Sequence, residues 1–256
     1  MNSEKSASQC RELAVVVGTG VFGEHIIARL ANEGLGVVAV SRTQATLDAL
    51  AARIDHVIPC VADLSSDEAI ATIKAAVDRP VRMVVHGPGV AVAGGILDAP
   101  TAAMVDSVNI KVGGMLRLTR AVDHRLVPQS RLVAIGGHYG LEPTAYAAAA
   151  GVANAGLVNV MRQLSLAYGP RGVTAHVIAP GPADTERLRR VAQTRAQQRG
   201  VDLDAVLDEM KEESSIGAFT SPEQVAWAVA MLLAPEADAM TGSTLMLDSG
   251  RRRGLP

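Results

Sequence analysis

At 256 residues the chain is long enough for one well-buried core, and no stretch reads as a linker, so a single domain over 1–256 is expected. A 48% hydrophobic share, 20% charged residues and a net charge of −2 suit a soluble globular protein and exclude the basic footprint of a nucleic-acid or acidic-membrane binder. Two cysteines, Cys10 and Cys60, form neither a disulfide framework nor a metal-ligand spacing, so no metal site is expected. Met1 to Glu12 is polar without a hydrophobic signal core, and no run approaches the roughly 20 apolar residues of a membrane span, which makes the cytoplasm the expected compartment.

In chain order, short Val/Ile/Leu-rich runs alternate with helical patterns. Strands are predicted at Leu13–Val17, Val37–Ser41, His56–Val61, Arg82–His86, Arg131–Ile135, Thr174–Ala179 and Ser243–Leu247. Most are continuous apolar runs, the mark of strands covered on both faces. Helices are predicted near Gly23–Asn32, Gln44–Ile54, Ser66–Val77, Thr101–Leu126, Ala148–Tyr168 and Pro222–Leu233. This alternation with right-handed crossovers gives a Rossmann-type, doubly wound α/β fold with a seven-stranded, mostly parallel sheet. One segment breaks the rhythm: 184–220 is charged, carries two further helical patterns (Glu186–Arg199 and Leu203–Glu213), and reads as a lid or a partner surface. The basic run Arg251-Arg252-Arg253 reads as a solvated end or a subunit contact.

The first strand runs into Gly18-Thr19-Gly20-Val21-Phe22-Gly23 and then a helix. Gly18 permits the tight turn, Gly20 lets a pyrophosphate approach the backbone, and Gly23 lets helix and strand pack closely, with the phosphate at the positive helix end. Placed between the first strand and first helix of a repeating βα pattern, this is a dinucleotide fingerprint. The second strand ends in Ser41-Arg42 rather than an acidic residue. Arg42 can pair with a 2′-phosphate, which favours NADP over NAD, while an Arg42 merely solvated at the sheet edge remains the alternative. Asp63, after the third strand, is placed to meet the adenine amino group.

Further motifs converge. Val108-Asn109-Ile110-Lys111, Pro170-Arg171-Gly172, Val177-Ile178-Ala179-Pro180-Gly181 with Thr185, Thr241-Gly242 and Leu247-Asp248-Ser249-Gly250 occur in this order. On these motifs the chain resembles the short-chain dehydrogenase/reductase family over nearly its whole length. The resemblance implies that Asn109 is the family's structural asparagine, and that Pro180, Gly181 and Thr185 contact the nicotinamide. Gly89 in His86-Gly87-Pro88-Gly89 then follows the fourth strand where the family has Asn-Asn-Ala-Gly.

The same alignment puts Gly137 at the family's serine, Ala150 at its tyrosine and Asn154 at its lysine. A phenol of ordinary pKa near 10 needs a neighbouring cation to work near neutrality, so these three changes remove the proton-transfer apparatus. A rival register makes Tyr146 the tyrosine and leaves Ala150 at the lysine. His138 and Tyr146 are the substitutes within reach of the expected nicotinamide cleft, with simple loop packing as the alternative for both.

The leading expectation is therefore the non-catalytic subunit of a heteromeric NAD(P)-dependent alcohol or hydroxyacyl dehydrogenase. It would pair with an active relative through the 101–126 and 148–168 helices, as the family's assemblies imply. An NADP(H) oxidoreductase, lyase or isomerase using His138 or Tyr146, and a dinucleotide sensor without turnover, stay open; so does a chain that binds no dinucleotide.

Overall fold

The computed structural model describes residues 10–90 and 94–254, apart from the side chains of Arg187 and Gln198. Residues 1–9, most of the polar segment read above for a signal core, lie outside the described residues, as do 91–93 and 255–256.

Seven strands, β1 Leu13–Val17, β2 Gly36–Ser41, β3 Val57–Val61, β4 Val81–His86, β5 Leu126–Ile135, β6 Thr174–Pro180 and β7 Thr244–Leu247, form one sheet. Its order is β3-β2-β1-β4-β5-β6-β7 and every pairing is parallel, so the "mostly parallel" expectation tightens to fully parallel. Successive strand residues face opposite sides, and both sides are buried. Leu13, Val15 and Val17 pack with Met115, Leu118, Leu157 and Met161 on one face. Ala14 and Val16 pack with Ile26, Ile27, Leu30, Val225 and Val229 on the other.

The helices are α1 Val21–Asn32, α2 Gln44–Ala51, α3 Glu68–Ala76, α4 Thr101–Val108, α5 Gly114–Val122, α6 Ala148–Tyr168, α7 Glu186–Arg199, α8 Leu203–Glu212 and α9 Pro222–Met231. Helix α9 starts with a full capping box, Ser221 and Gln224 each bonding the other's backbone, and carries Pro222 at its first turn.

Two expectations need correction. The helix expected over Thr101–Leu126 is interrupted by a π-turn at Asn109–Gly113 and closes in a 3-10 turn at Asp123–Arg125, with Leu126 already in β5. The π-turn lies where the His86 imidazole meets the Ile110 carbonyl at 3.1 Å and where Gly113 and Gly114 remove side-chain bulk. Strand β5 also begins earlier than Arg131. Its register against β4 shifts between Val81 and Met83, and Gln129 adopts φ 69° within the irregularity. Ser130 accepts from the Val127 amide and donates to the Val81 carbonyl there, which holds a segment whose Pro-Gln-Ser composition conceals a strand.

The segment 184–220 folds as α7 and α8 around a small core of its own, Ala192, Ala196, Val206, Leu207 and Met210. Arg199 clamps Glu209 through two bonds of 2.6 and 2.8 Å. Among the described residues no helix is long and apolar enough to cross a membrane.

Candidate dinucleotide cleft and active site

The strand order reverses between β1 and β4, the place where an open α/β sheet leaves a crevice at its carboxyl ends. The loops after both strands meet there. Gly18 takes φ 92°, and a side-chain carbon on it would approach Gly87 and Pro88 backbone atoms at 3.0 Å. A carbon on Gly23 would fall 1.7 Å from the Gly18 carbonyl oxygen, so α1 can start this close to the turn only with glycine. Gly20 faces open space, and the α1 amides beyond it form the anion-binding end of the helix.

On the β2–β3 side Arg42 and Asp63 come together. The Ser65 backbone amide, bonded to Asp63 at 2.9 Å, holds that carboxyl below its usual range, with Arg42 adding to the effect. Ser41 closes β2, its carbonyl accepting from the Ala62 amide.

On the β4–β5 side lies a cleft of about 210 Å³ walled by Phe22, Gly89, Lys111, Tyr139, Ala150 and Asn154, among others. Two of the three residues read as family replacements line it, and the third lies against one of them. Ala150 and Asn154 line the same cleft from one face of α6, as their spacing of four dictates. A side-chain carbon on Gly137 would lie 3.0 Å from the Asn154 amide nitrogen, so position 137 faces position 154. Asn154 is buried, and its side-chain oxygen has no hydrogen-bond partner.

Other expected site residues lie elsewhere. The Asn109 amide donates to the Ser65 carbonyl at 3.0 Å and accepts from Arg117 at 2.8 Å, tying the helix to the loop after β3 rather than entering the cleft. The Thr185 hydroxyl caps α7, donating to Ala183 and accepting from Leu188, both at 3.3 Å. Pro180 ends β6, and Gly181 donates to the Leu247 carbonyl so closely that a side-chain carbon on it would meet Asp248 at 2.8 Å.

His138 and Tyr146 do not line this cleft. They line a second cavity of about 300 Å³ with Tyr139, Glu142, Glu213, Arg251 and Arg253. In the 3-10 turn at His138–Gly140 the two rings lie 3.9 Å apart, and among the described residues Tyr139 alone lines both cavities. Burial and the neighbouring Arg251 hold the His138 imidazole below its usual pKa, so it is neutral at pH 7. The basic tail is tied back to the protein in part: Arg251 pairs with Glu213, the Arg252 amide donates to Asp248 at 2.9 Å, and the Arg253 amide donates to Glu142 at 3.0 Å, while Arg253 and Gly254 are exposed.

Two functional candidates escaped sequence reading. The Tyr139 hydroxyl meets that of Tyr146 at 2.8 Å. Burial and this bond push Tyr139 up to about 12, so it keeps its proton. For Tyr146 burial works upward, but the bonds from Tyr139 and Arg251 and the charges of Arg251 and Arg195 outweigh it, and the phenol sits below its ordinary value. Lys111 is 4% exposed, and its ammonium donates to the Ile135 carbonyl at 2.8 Å at the cleft wall. A tyrosine and a lysine thus both line the cleft, Tyr139 bonded to Tyr146 and Lys111 to the end of β5. The signal for Lys111 was its place two residues after Asn109. In a regular helix that spacing puts the two on opposite faces, and only the structure shows that the lysine takes the inner one.

A family profile described as enoyl-(acyl carrier protein) reductase matches residues 20–252. The chain belongs to the short-chain dehydrogenase/reductase family. It is 30% identical to the short-chain reductase protein NovJ of Streptomyces niveus over 97% of each chain. It is 25% identical to the 3-oxoacyl-(acyl-carrier-protein) reductase FabG of Escherichia coli strain K12, covering 93% of this chain and 96% of that one. Its fold matches the NADPH-bound structure of a short-chain oxidoreductase with an atypical catalytic centre from Pseudomonas aeruginosa PAO1. There the TM-score is 0.84 at 21% identity, covering 95% of this chain and 98% of that one.

Proposed function

We propose that this family member is an NADP(H)-holding subunit that does not itself perform acid–base catalysis and that completes an assembly with a relative carrying an intact Ser-Tyr-Lys set. The observation that carries the reading is the placing of Ala150 and Asn154 on one cleft with Gly137 against Asn154, where none of the three side chains can shuttle a proton. The phenol on the same wall, Tyr139, is pushed up to about 12 and is no better placed to do so. General acid–base groups contribute about 10²–10⁴-fold, so their absence leaves little hydride transfer.

The residues present suit a dinucleotide. The Gly18–Gly23 turn cradles a pyrophosphate, Arg42 suits a 2′-phosphate beside Asp63, and Asn154 offers an unpaired buried oxygen where the lysine of the family holds a ribose. When bound, that cofactor supplies or accepts the hydride. The Streptomyces and Escherichia relatives are named as reductases, and this supports a reductase or dehydrogenase as the kind of assembly served. The interface proposed is the pair α4–α5 and α6, packed side by side on one face of the sheet.

A second reading is favoured by one observation, the Tyr139–Tyr146 bond with Arg251 behind it. In it Tyr146 acts as the acid through Tyr139. Co-expression with neighbouring family members separates the two: the first predicts co-purification and no turnover by the chain alone, the second turnover by the chain alone that disappears in Tyr146→Phe.

A further inference from the structure

The second cavity, of about 300 Å³, is closed by the end of the chain itself. Ser249 and Gly250 take φ 58° and 77°, a left-handed pair that turns the tail back across the molecule. The Ser215 amide and hydroxyl hold this turn, donating to the Ser249 carbonyl at 3.0 and 3.2 Å. A side-chain carbon on Gly250 would fall 1.9 Å from that hydroxyl, so the approach needs glycine. Arg251 then reaches Glu213 on one side and the Tyr146 hydroxyl on the other. A serine held in the left-handed region invites a functional account.

The wall built this way has donors to spare. The Arg251 Nη1 and the Thr144 hydroxyl are both buried without a hydrogen-bond partner. The exposed Arg253 guanidinium lines the same cavity and has no acceptor among the described residues, since Glu142 takes its backbone amide instead. Buried polar atoms are nearly always paired, so two orphans on one wall point to a group that brings acceptor oxygens. At Tyr146 the Arg251 and Arg195 charges, with the bonds from Tyr139 and Arg251, outweigh burial and hold the phenol below its ordinary value. The apolar part of the lining is aromatic: no Val, Leu, Ile or Met contributes, and a ligand body meets the rings of His138, Tyr139 and Tyr146. The first two rings lie 3.9 Å apart, and the two tyrosines stand edge to face at 5.6 Å. In a sequence with only three tyrosines, two of them at one cavity mark it as a ring-binding place.

We propose that the second cavity binds a small aromatic carboxylate: Arg251, Arg253 and Thr144 take its carboxylate oxygens, and the ring cluster takes its flat body. A carboxylate is an acceptor with two oxygens in one plane, the geometry that guanidinium donors match. The volume lies at the low end of small-molecule pockets, about 300–1,000 Å³, and suits a single ring. Among the described residues the site shares only Tyr139 with the dinucleotide cleft. It stands whether or not the chain turns over by itself.

The test is calorimetric titration of the full chain with benzoate and three relatives. Benzamide keeps the shape without the charge, cyclohexanecarboxylate keeps the charge without the aromatic ring, and inorganic phosphate is a bare anion. Benzoate is expected to bind about ten-fold or more tighter than benzamide, the scale of a charge-assisted bond, and about three-fold or more tighter than the other two. Arg253→Gln removes a guanidinium that holds nothing else among the described residues, and is expected to weaken benzoate about ten-fold while benzamide stays within about two-fold. Thr144→Val is expected to weaken benzoate about three-fold. Arg42→Gln should leave benzoate unchanged, because that arginine belongs to the other end of the dinucleotide cleft. Benzoate held no tighter than phosphate would mean a bare anion patch and overturns the proposal. So does an affinity insensitive to Arg253→Gln, one lost in Arg42→Gln, or no benzoate binding at all.

Discussion

At the scale of single residues, a phenol serves as an acid near neutral pH only when a cation relieves the charge it leaves behind. Tyr139 lines the cleft part-buried and bonded to a second phenol, which outweigh the Arg251 and Arg195 charges and push it up to about 12. His138 is neutral and turned to the other cavity. What the residues do preserve is the phosphate turn, and here the steric margin is small. Gly23→Ala would place a carbon 1.7 Å from the Gly18 oxygen, forcing α1 away from the turn. The expected result is a loss of about 1–3 kcal/mol in urea unfolding together with loss of NADPH binding. Wild-type NADPH affinity in that variant would remove the turn from the account.

At the scale of elements, the strands and most helices were legible because apolar runs and helical spacing report burial directly. β1, α6 and α7 have the bounds the sequence predicts, and Gly18, Gly20 and Gly23 do lie at the junction of β1 and α1. The nearness of Gly137, Ala150 and Asn154 was legible because helix periodicity ties 150 to 154 and the turn after β5 lies against 154. Three things were not. The π-turn is held by bonds to two distant strands, His86 of β4 to Ile110 and Lys111 to Ile135 of β5, which no local pattern encodes. The division of labour at His138 and Tyr139 depends on which way a short turn throws adjacent side chains. The inward fold of the Arg251–Arg253 tail depends on Glu213 and Glu142, remote in sequence. The α9 start, by contrast, is local. Ser221→Ala removes the bond to the Gln224 amide and is expected to cost about 1 kcal/mol in unfolding free energy, with NADPH affinity unchanged.

At the scale of the whole molecule, buried histidines couple stability to pH. Burial first, and then the Lys111 charge, lowers His86 to about 3; burial and Arg131 lower His176 to about 4. Both lie below the ordinary value of 6.5, so the unfolded chain takes up protons that the folded one refuses. The stability these groups contribute is fully present above pH 6.5 and falls as pH drops through the window down to about 4, at up to about 1.4 kcal/mol per unit for each group. Melting temperature is expected to decline across that range, with the histidine share read above about pH 5.5 where the carboxylates stay ionised, and His176→Gln should flatten the decline there. A melting temperature independent of pH between 6.5 and 4 would contradict it.

Under the proposed function the chain is a complete sheet and dinucleotide cleft without a proton shuttle, one part of a larger catalyst. The most direct measurement is NADPH oxidation by the purified chain alone and by its co-purified complex with a family member bearing an intact Tyr-x-x-x-Lys, on one set of 3-oxoacyl thioesters. The account predicts NADPH binding but no oxidation above background for the chain alone, and oxidation by the mixed complex that is abolished by mutating the partner's tyrosine. Oxidation by the chain alone, lost in Tyr146→Phe, would contradict it.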